Sequence, residues 1–403
     1  MLSKKSTVWL IVLLCLPLVA VRGHDFRFAT GRSALCIPIE ADNRLVAFRA
    51  RLNDRDGVRL VLDTGAGDSV LNAGIAAELG LKVVGAHHAM GAGGPAVGTT
   101  VAGVNVALPG FELLDQTMGT LPLDPIAAQS GRPLDGILGR PLFNRCVVEL
   151  DYPRKCASLF DATEYRYGGS GASVRLSFED NLPYVEARLV LPDGRALEGK
   201  FVIDTGAATS VLLPPDVVER DGIAAVLGKT ITTKARGVGG AREIRLGRAA
   251  KLELGGFSLS QPIVALQSAG SGYVTAKGAV GNIGGGILSR FKVTFDYPRR
   301  RMYLEPGPDF SRPFEADMSG LQLVATLPDL KRVKVVSVLD NSPALDAGIQ
   351  AGDEIDTVDG TPAGDIGLPA LRERFRLEGQ DLRLGLLRGT ERITAALRTR
   401  RMI

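Results

Sequence analysis

The chain is short of the residues from which many reactive centres are built. Among 403 residues it has three histidines and four cysteines, and no two cysteines form a C-x-x-C pair. No Cys/His cluster has metal-ligand spacing, so a zinc site is not expected and the chemistry must proceed without a metal or other cofactor. Tryptophan occurs once, and aromatic residues make up 5%. An excess of one charge is also missing. Lys plus Arg number 48 against 44 acids, and without residues 1–23 the basic count falls to 45, a net charge of +1. Nothing in that balance calls for nucleic acid or an acidic partner. The N-terminal apolar run Val8–Val21 has 14 residues, short of the roughly 20 that span a bilayer.

That run reads instead as the core of an export signal. Lys4 and Lys5 precede it, and Val21-Arg22-Gly23 places small or apolar residues at the two positions a signal peptidase inspects. Cleavage is expected near Gly23, the alternative being an uncleaved anchor. Cys15 follows Leu14 rather than a small residue, so lipidation is not expected. The mature protein would be periplasmic or secreted, with no stable membrane span, and export permits a disulfide. Of Cys36, Cys146 and Cys156, the last two flank one predicted hairpin and are the expected pair; the alternative is three buried thiols.

Glycine is plentiful, at 49 residues, which with short apolar runs favours strands and turns over long helices. Three blocks recur in order. Leu60-Val61-Leu62-Asp63-Thr64-Gly65-Ala66 with Ser69-Val70-Leu71 returns as Phe201-Val202-Ile203-Asp204-Thr205-Gly206-Ala207 with Ser210-Val211-Leu212, offset by 141. Gly91-Ala92-Gly93-Gly94 returns as Gly237-Val238-Gly239-Gly240, offset by 146. Gly136-Ile137-Leu138-Gly139, running to Asp151-Tyr152-Pro153-Arg154, returns as Gly281-Asn282-Ile283-Gly284, running to Asp296-Tyr297-Pro298-Arg299, offset by 145. Near-constant offsets mark an internal duplication. Alternating runs such as Val46–Leu52 and Val185–Val190 predict amphipathic strands. Short helices are expected at Ala73–Leu79 and Pro215–Arg220. Gly- and Pro-rich stretches at 161–173 and 305–319 read as linkers. After residue 319 the pattern changes to strands at Val333–Val338, Asp381–Leu387 and Arg392–Leu397 with an amphipathic helix at Leu368–Arg376.

An Asp that ends a buried strand, followed by Thr and Gly, sits where the backbone can turn sharply and bring N–H groups to the carboxylate. One copy is an ordinary turn former. Two copies in duplicated halves can face each other across a pseudo-twofold axis. Two carboxylates about 3 Å apart cannot both ionise and so share one proton. The ionised partner can take a proton from water, and the protonated one can polarise an amide carbonyl. That chemistry needs no histidine, metal or covalent intermediate.

Over residues 34–306 both halves resemble the retropepsin and pepsin clan of aspartic peptidases, on the D-T-G-A segments, the Gly-rich segments and the apolar-apolar-Gly block Ile137-Leu138-Gly139, which Asn282-Ile283-Gly284 matches less well. The resemblance implies a mainly β fold of two closed barrel halves, 34–163 and 170–306, forming one bilobal unit. It implies Asp63 and Asp204 as the catalytic pair, Thr64 and Thr205 as braces, and Gly65 and Gly206 as N–H donors to the carboxylates. Gly91, Gly93 and Gly94, with Gly237, Gly239 and Gly240, would form two flap tips; the plainer reading of these glycines is a pair of hairpin turns. Substrates would be peptides or unfolded proteins. Ala66 and Ala207 replace the hydroxyl residue usual in pepsins, and no Tyr lies between Gly80 and Gly110. Both features point to the retropepsin side. Fewer donors to the carboxylates imply activity at mildly rather than strongly acidic pH. Because one chain carries both halves, a monomer is expected.

Residues 317–400 resemble a bacterial protease-associated PDZ domain, on Ser342-Pro343-Ala344, Ala347-Gly348-Ile349, Ala351-Gly352-Asp353-Glu354-Ile355 and Val358-Asp359-Gly360. The resemblance implies a small α+β fold in which Gly320-Leu321-Gln322-Leu323 receives a peptide C-terminus. Gln322 departs from the small residue usual there, and the alternative is a docking or regulatory surface. Two rival functions stand beside this one. His87, Asp115 and Ser170 have the order of a chymotrypsin-like triad, but Ser170 lies in the linker and its surroundings match no such family. A non-catalytic peptide-binding scaffold keeping the retropepsin fold is the more serious rival, set against two intact D-T-G-A segments. His87-His88 reads as a loop pair.

Overall fold

In the strand Leu45–Leu52, Val46, Phe48, Ala50 and Leu52 are buried while Arg49 and Arg51 are exposed, the alternation of a strand with one face in a core. Its antiparallel partner Arg55–Leu62 is buried throughout its last five residues. Such a run suits a strand covered on both faces, and this one ends at Asp63. The computed structural model that shows this describes residues 25–42, 44–268 and 278–403. The export segment lies outside the described residues.

The protein is mainly β, and its first two thirds form two matched halves. In the first, Arg55–Leu62 runs parallel to Gly136–Leu138, which runs antiparallel to Val70–Asn72. In the second, Ala196–Asp204 runs parallel to Gly281–Gly284, which runs antiparallel to Val211–Leu213. The N-terminal barrel closes where Arg51 and Leu52 pair with Ala107 and Val106. The corresponding long strand of the second half is broken at Ala249–Ala250, and Lys251–Leu254 closes the ring against Leu182–Val190. Short helices lie at Ala73–Glu78 and Pro215–Arg220. Asn72 caps the first, its side chain accepting from the Gly74 N–H at 3.0 Å.

The halves are joined at their base. Cys146–Asp151 pairs antiparallel with Phe291–Asp296, Val148 opposite Phe295 and Leu150 opposite Val293. Cys156–Asp161 and Arg301–Pro306 flank this pair. Phe143 stacks on Tyr297, with ring centroids 5.1 Å apart, and one apolar core runs through both halves.

The expected Cys146–Cys156 disulfide does not form. Cys36 is bonded to Cys156, with Cα atoms 4.7 Å apart, and Cys146 is a buried free thiol. The register explains it. Cys146 faces Asp161 and Cys156 faces Asp151, so the two cysteines stand at opposite ends of their hairpin. Five residues of strand separate them by about 16 Å, whereas a disulfide needs Cα atoms within about 7 Å. On its other side Cys156–Asp161 pairs with Ser33–Asp42, which brings Cys36 alongside.

Beyond residue 317 a separate sheet runs in the order Leu321–Ala325, Val333–Val338, Glu354–Val358, Asp381–Arg388, Glu391–Arg398. Helix Leu368–Phe375 packs Leu371 and Phe375 into its own core, with Val335, Ile355 and Leu384. Leu321–Ala325 is the end strand, and helix Asp124–Ser130 of the N-terminal half packs against it. Among the described residues no helix is long and apolar enough to cross a membrane.

Candidate active site

The two Asp-Thr-Gly turns meet face to face where the halves abut. Thr64 and Thr205 are fully buried. Each backbone N–H donates to the hydroxyl of the other threonine at 3.0 Å. Each hydroxyl in turn donates across the interface, Thr64 Oγ1 to the Ile203 carbonyl at 2.7 Å and Thr205 Oγ1 to the Leu62 carbonyl at 2.8 Å. Four reciprocal bonds therefore fix the turns against one another. The strand geometry orients the acids. The Asp63 N–H donates to the Leu138 carbonyl at 2.9 Å, and Asp204 lies beside Gly284 in the parallel pair.

The carboxyls of Asp63 and Asp204 each lie against the other turn's glycine, close enough to interact directly, and are partly exposed. The Gly65 N–H donates to Asp63 Oδ1 at 2.8 Å and the Gly206 N–H to Asp204 Oδ1 at 2.9 Å. Glycine is needed at both positions. A Cβ on Gly65 would lie 2.7 Å from the Asp204 carboxyl carbon, and one on Gly206 would overlap the Asp63 carboxyl. Burial first, then the facing Asp204, holds the Asp63 carboxyl well above the ordinary carboxylate range, against the pull of the Gly65 and Ala66 N–H groups. Burial also raises Asp204, but hydrogen bonds from Asn282 and Asp63 and from the Gly206 and Ala207 N–H groups oppose it. The pair thus favours one proton on two acids.

The Gly-rich segments are the tips of two long hairpins, Lys82–Gly91 with Gly94–Leu108, and Ile231–Gly237 with Gly240–Arg248. The tips touch. The Gly93 N–H donates to the Val238 carbonyl at 2.8 Å, and a Cβ on Gly91 would lie 2.5 Å from that carbonyl oxygen. Gly94, Gly239 and Gly240 have positive φ, so the turns themselves select glycine. Val238 packs on an apolar group that includes Val61, Leu121 and Ile137, beside the first Asp turn.

Other sequence candidates lie elsewhere. His87 sits opposite Gly98 in the first hairpin and packs over Gly119. The Asp115 N–H is bonded to the Asn105 side chain, and Ser170 lies in the connector between halves. Among the described residues no hydrogen bond joins any two of His87, Asp115 and Ser170. Gly320 precedes the end strand Leu321–Ala325, which contains Leu321, Gln322 and Leu323. The Gln322 amide donates to Thr233 Oγ1 in the second hairpin at 2.8 Å. Sequence reasoning missed that contact, and it missed Asn282, whose Nδ2 donates to Asp204 Oδ2 at 2.6 Å. The available signal was a polar residue at the position that Ile137 occupies in the other half.

Residues 48–142 and 188–285 each match the family model described as "Aspartyl protease". The two matches carry one Asp-Thr-Gly turn apiece. None of the curated proteins matches the chain. Among solved structures, the aspartic proteinase from Irpex lacteus is similar, at 15% identity over 70% of this chain and 99% of that one, with a TM-score of 0.43. A likeness of that strength adds nothing to the geometry of the site.

Proposed function

We propose that the chain is an exported, monomeric aspartic endopeptidase that hydrolyses peptide bonds in peptides or unfolded proteins. The observation that carries this reading is the meeting of two partly buried carboxyls with raised proton affinity in matched, mutually bonded turns. Water held between them attacks the scissile carbonyl carbon. The ionised acid takes the water proton, and the protonated acid hydrogen-bonds to the developing oxyanion. Collapse of the tetrahedral intermediate breaks the C–N bond as the leaving nitrogen gains a proton. The hairpin tips would part to admit substrate and close to exclude water. The export signal at residues 1–23 supports a periplasmic or secreted location.

The test uses Asp63→Asn and Asp204→Asn beside wild type on a peptide library. Both variants should fold and lose cleavage. Wild-type rates in either would reject the shared-proton mechanism. A wild type that binds peptides without cutting them would favour the non-catalytic scaffold instead.

Residues 317–400 we read as a PDZ domain that regulates access to this site. Two contacts support regulation over open peptide capture. The edge of Leu321–Ala325, where a peptide strand would add, is packed by helix Asp124–Ser130, and the Gly131 backbone lies against Leu368 at the start of the adjacent helix. Gln322, in the expected carboxylate loop, is bonded to the second flap hairpin.

A further inference from the structure

Among the described residues, the hydrogen bonds to the two carboxyls repeat from one half to the other, with one exception. Each carboxyl accepts from the N–H two residues on. Each threonine makes the same pair of bonds. In the parallel strand behind Asp63, Ile137 lies beside Val61. At the matching place behind Asp204, Asn282 lies beside Val202. Ile137 has nothing to donate, whereas Asn282 Nδ2 donates to Asp204 Oδ2 at 2.6 Å.

This asparagine has little freedom. It is 1% exposed and held between two strands, beside Val202 on one side and Leu212 on the other. The short distance also fixes the sense of the amide. Turned the other way, its oxygen would oppose a carboxylate oxygen, which repels unless that oxygen carries a proton. A donor at this distance favours the charged form of its acceptor.

We infer that Asn282 is a positioning residue that breaks the symmetry of the pair, holding the negative charge on Asp204 and leaving the shared proton on Asp63. The inference rests on the peptidase reading only for its catalytic consequence. Asp204 is then the base. It removes a proton from water as the water oxygen bonds to the carbonyl carbon, while the Asp63 proton passes to the carbonyl oxygen. In collapse, Asp204 returns its proton to the leaving nitrogen as the C–N bond breaks, and Asp63 recovers the proton from the hydroxyl that becomes the new carbonyl. The buried Tyr297 phenol is within electrostatic reach of both acids and of the Arg140 guanidinium. Burial raises the phenol well above its ordinary range, so it stays neutral and adds no net charge to bias either acid.

The experiment is carboxyl-carbon NMR titration of the full chain, wild type beside Asn282→Leu, with the pH profile of kcat/KM measured on the same samples. The pair should titrate in two macroscopic steps. Loss of the charge-assisted donor should raise the lower step by about one pH unit or more. The acid limb of kcat/KM should move up with it, and kcat should fall about tenfold or more with KM nearly unchanged. A lower step that stays put in a folded Asn282→Leu protein overturns the inference. If that variant fails to fold, the isosteric Asn282→Asp decides. Its side chain can donate only while protonated, so its activity maximum should move to lower pH, and an unmoved maximum overturns the inference. The NMR step needs no turnover. A shifted step in a chain that never cleaves peptide would leave the charge placement standing and reject the peptidase reading.

Discussion

Replacing Thr64 by valine tests the bracing of the two turns. The side chains are nearly the same size, so no cavity opens, and only the hydroxyl is lost. That hydroxyl accepts from the Thr205 N–H at 3.0 Å and donates to the Ile203 carbonyl at 2.7 Å. Both partners then lie buried with nothing to bond. An orphaned buried backbone group costs about 1–3 kcal/mol, so the variant should lose about 2–6 kcal/mol of stability. Thr205→Val orphans the Thr64 N–H and the Leu62 carbonyl. By the symmetry of the network its cost should agree within about 1 kcal/mol. Thr64→Ser keeps the hydroxyl and should stay close to wild type.

The double valine variant discriminates further. If the four orphaned groups stayed dry, the two losses would add. With only methyl groups left between the turns, water can enter the seam and partner all four, so the combined loss should fall short of the sum by about 1 kcal/mol or more. Urea unfolding followed by circular dichroism is the assay, since the single Trp lies at position 9, within the proposed export signal, and does not report on the turns. Cleavage by either single valine variant should drop about a hundredfold, as expected for acids displaced by about 1 Å. A loss of stability below about 0.5 kcal/mol in Thr64→Val would mean the hydroxyls are ordinary side-chain bonds, and the bracing role would be refuted.

Three further outcomes follow from contacts distant from the acids. A denatured, unreduced chain beginning after residue 23 should present one reactive thiol, that of Cys146, and in the native protein none, because burial pushes that thiol up to about 12. The disulfide closes a separation of 120 residues, so a Cys36→Ala/Cys156→Ala protein should be less stable by up to about 4–5 kcal/mol on the chain-entropy model, and a difference under about 1 kcal/mol would show that the reduced chain is already ordered there. Gln322→Ala removes the bond to Thr233, and amide exchange in Ile231–Gly237 should speed up about two- to tenfold. Unchanged exchange would mean that the C-terminal unit does not brace the second hairpin.

How much of this was legible in the sequence depended on the range of the interaction. The mainly β duplicated fold was readable because its signal is local and occurs twice: an apolar strand, an Asp-Thr-Gly turn, a Gly-rich tip and a strand-ending block in constant order. The meeting of Asp63 and Asp204 followed from duplication, since a twofold arrangement brings equivalent turns together. Nearness along the chain points to the wrong disulfide because it is not nearness in the sheet. A strand has two edges, and Cys156 meets Cys36, two residues from its register partner Pro38, on the edge away from its own hairpin. The contact of Gln322 with the second hairpin joins parts of the chain that share no pattern, so nothing in the sequence could announce it.

Asn282 lies between these cases. As a letter it was a defect in the second apolar-apolar-Gly block, a departure that weakened the match. Among the described residues the same departure is the one side-chain amide that donates to a carboxyl of the pair. Duplication brings two identical groups together, but one proton on two identical sites has no preferred home. A direct role assignment requires an asymmetry within reach of a carboxyl oxygen. Residues that fit the repeat build the site, and for that reason the one that does not fit is where its direction should be sought.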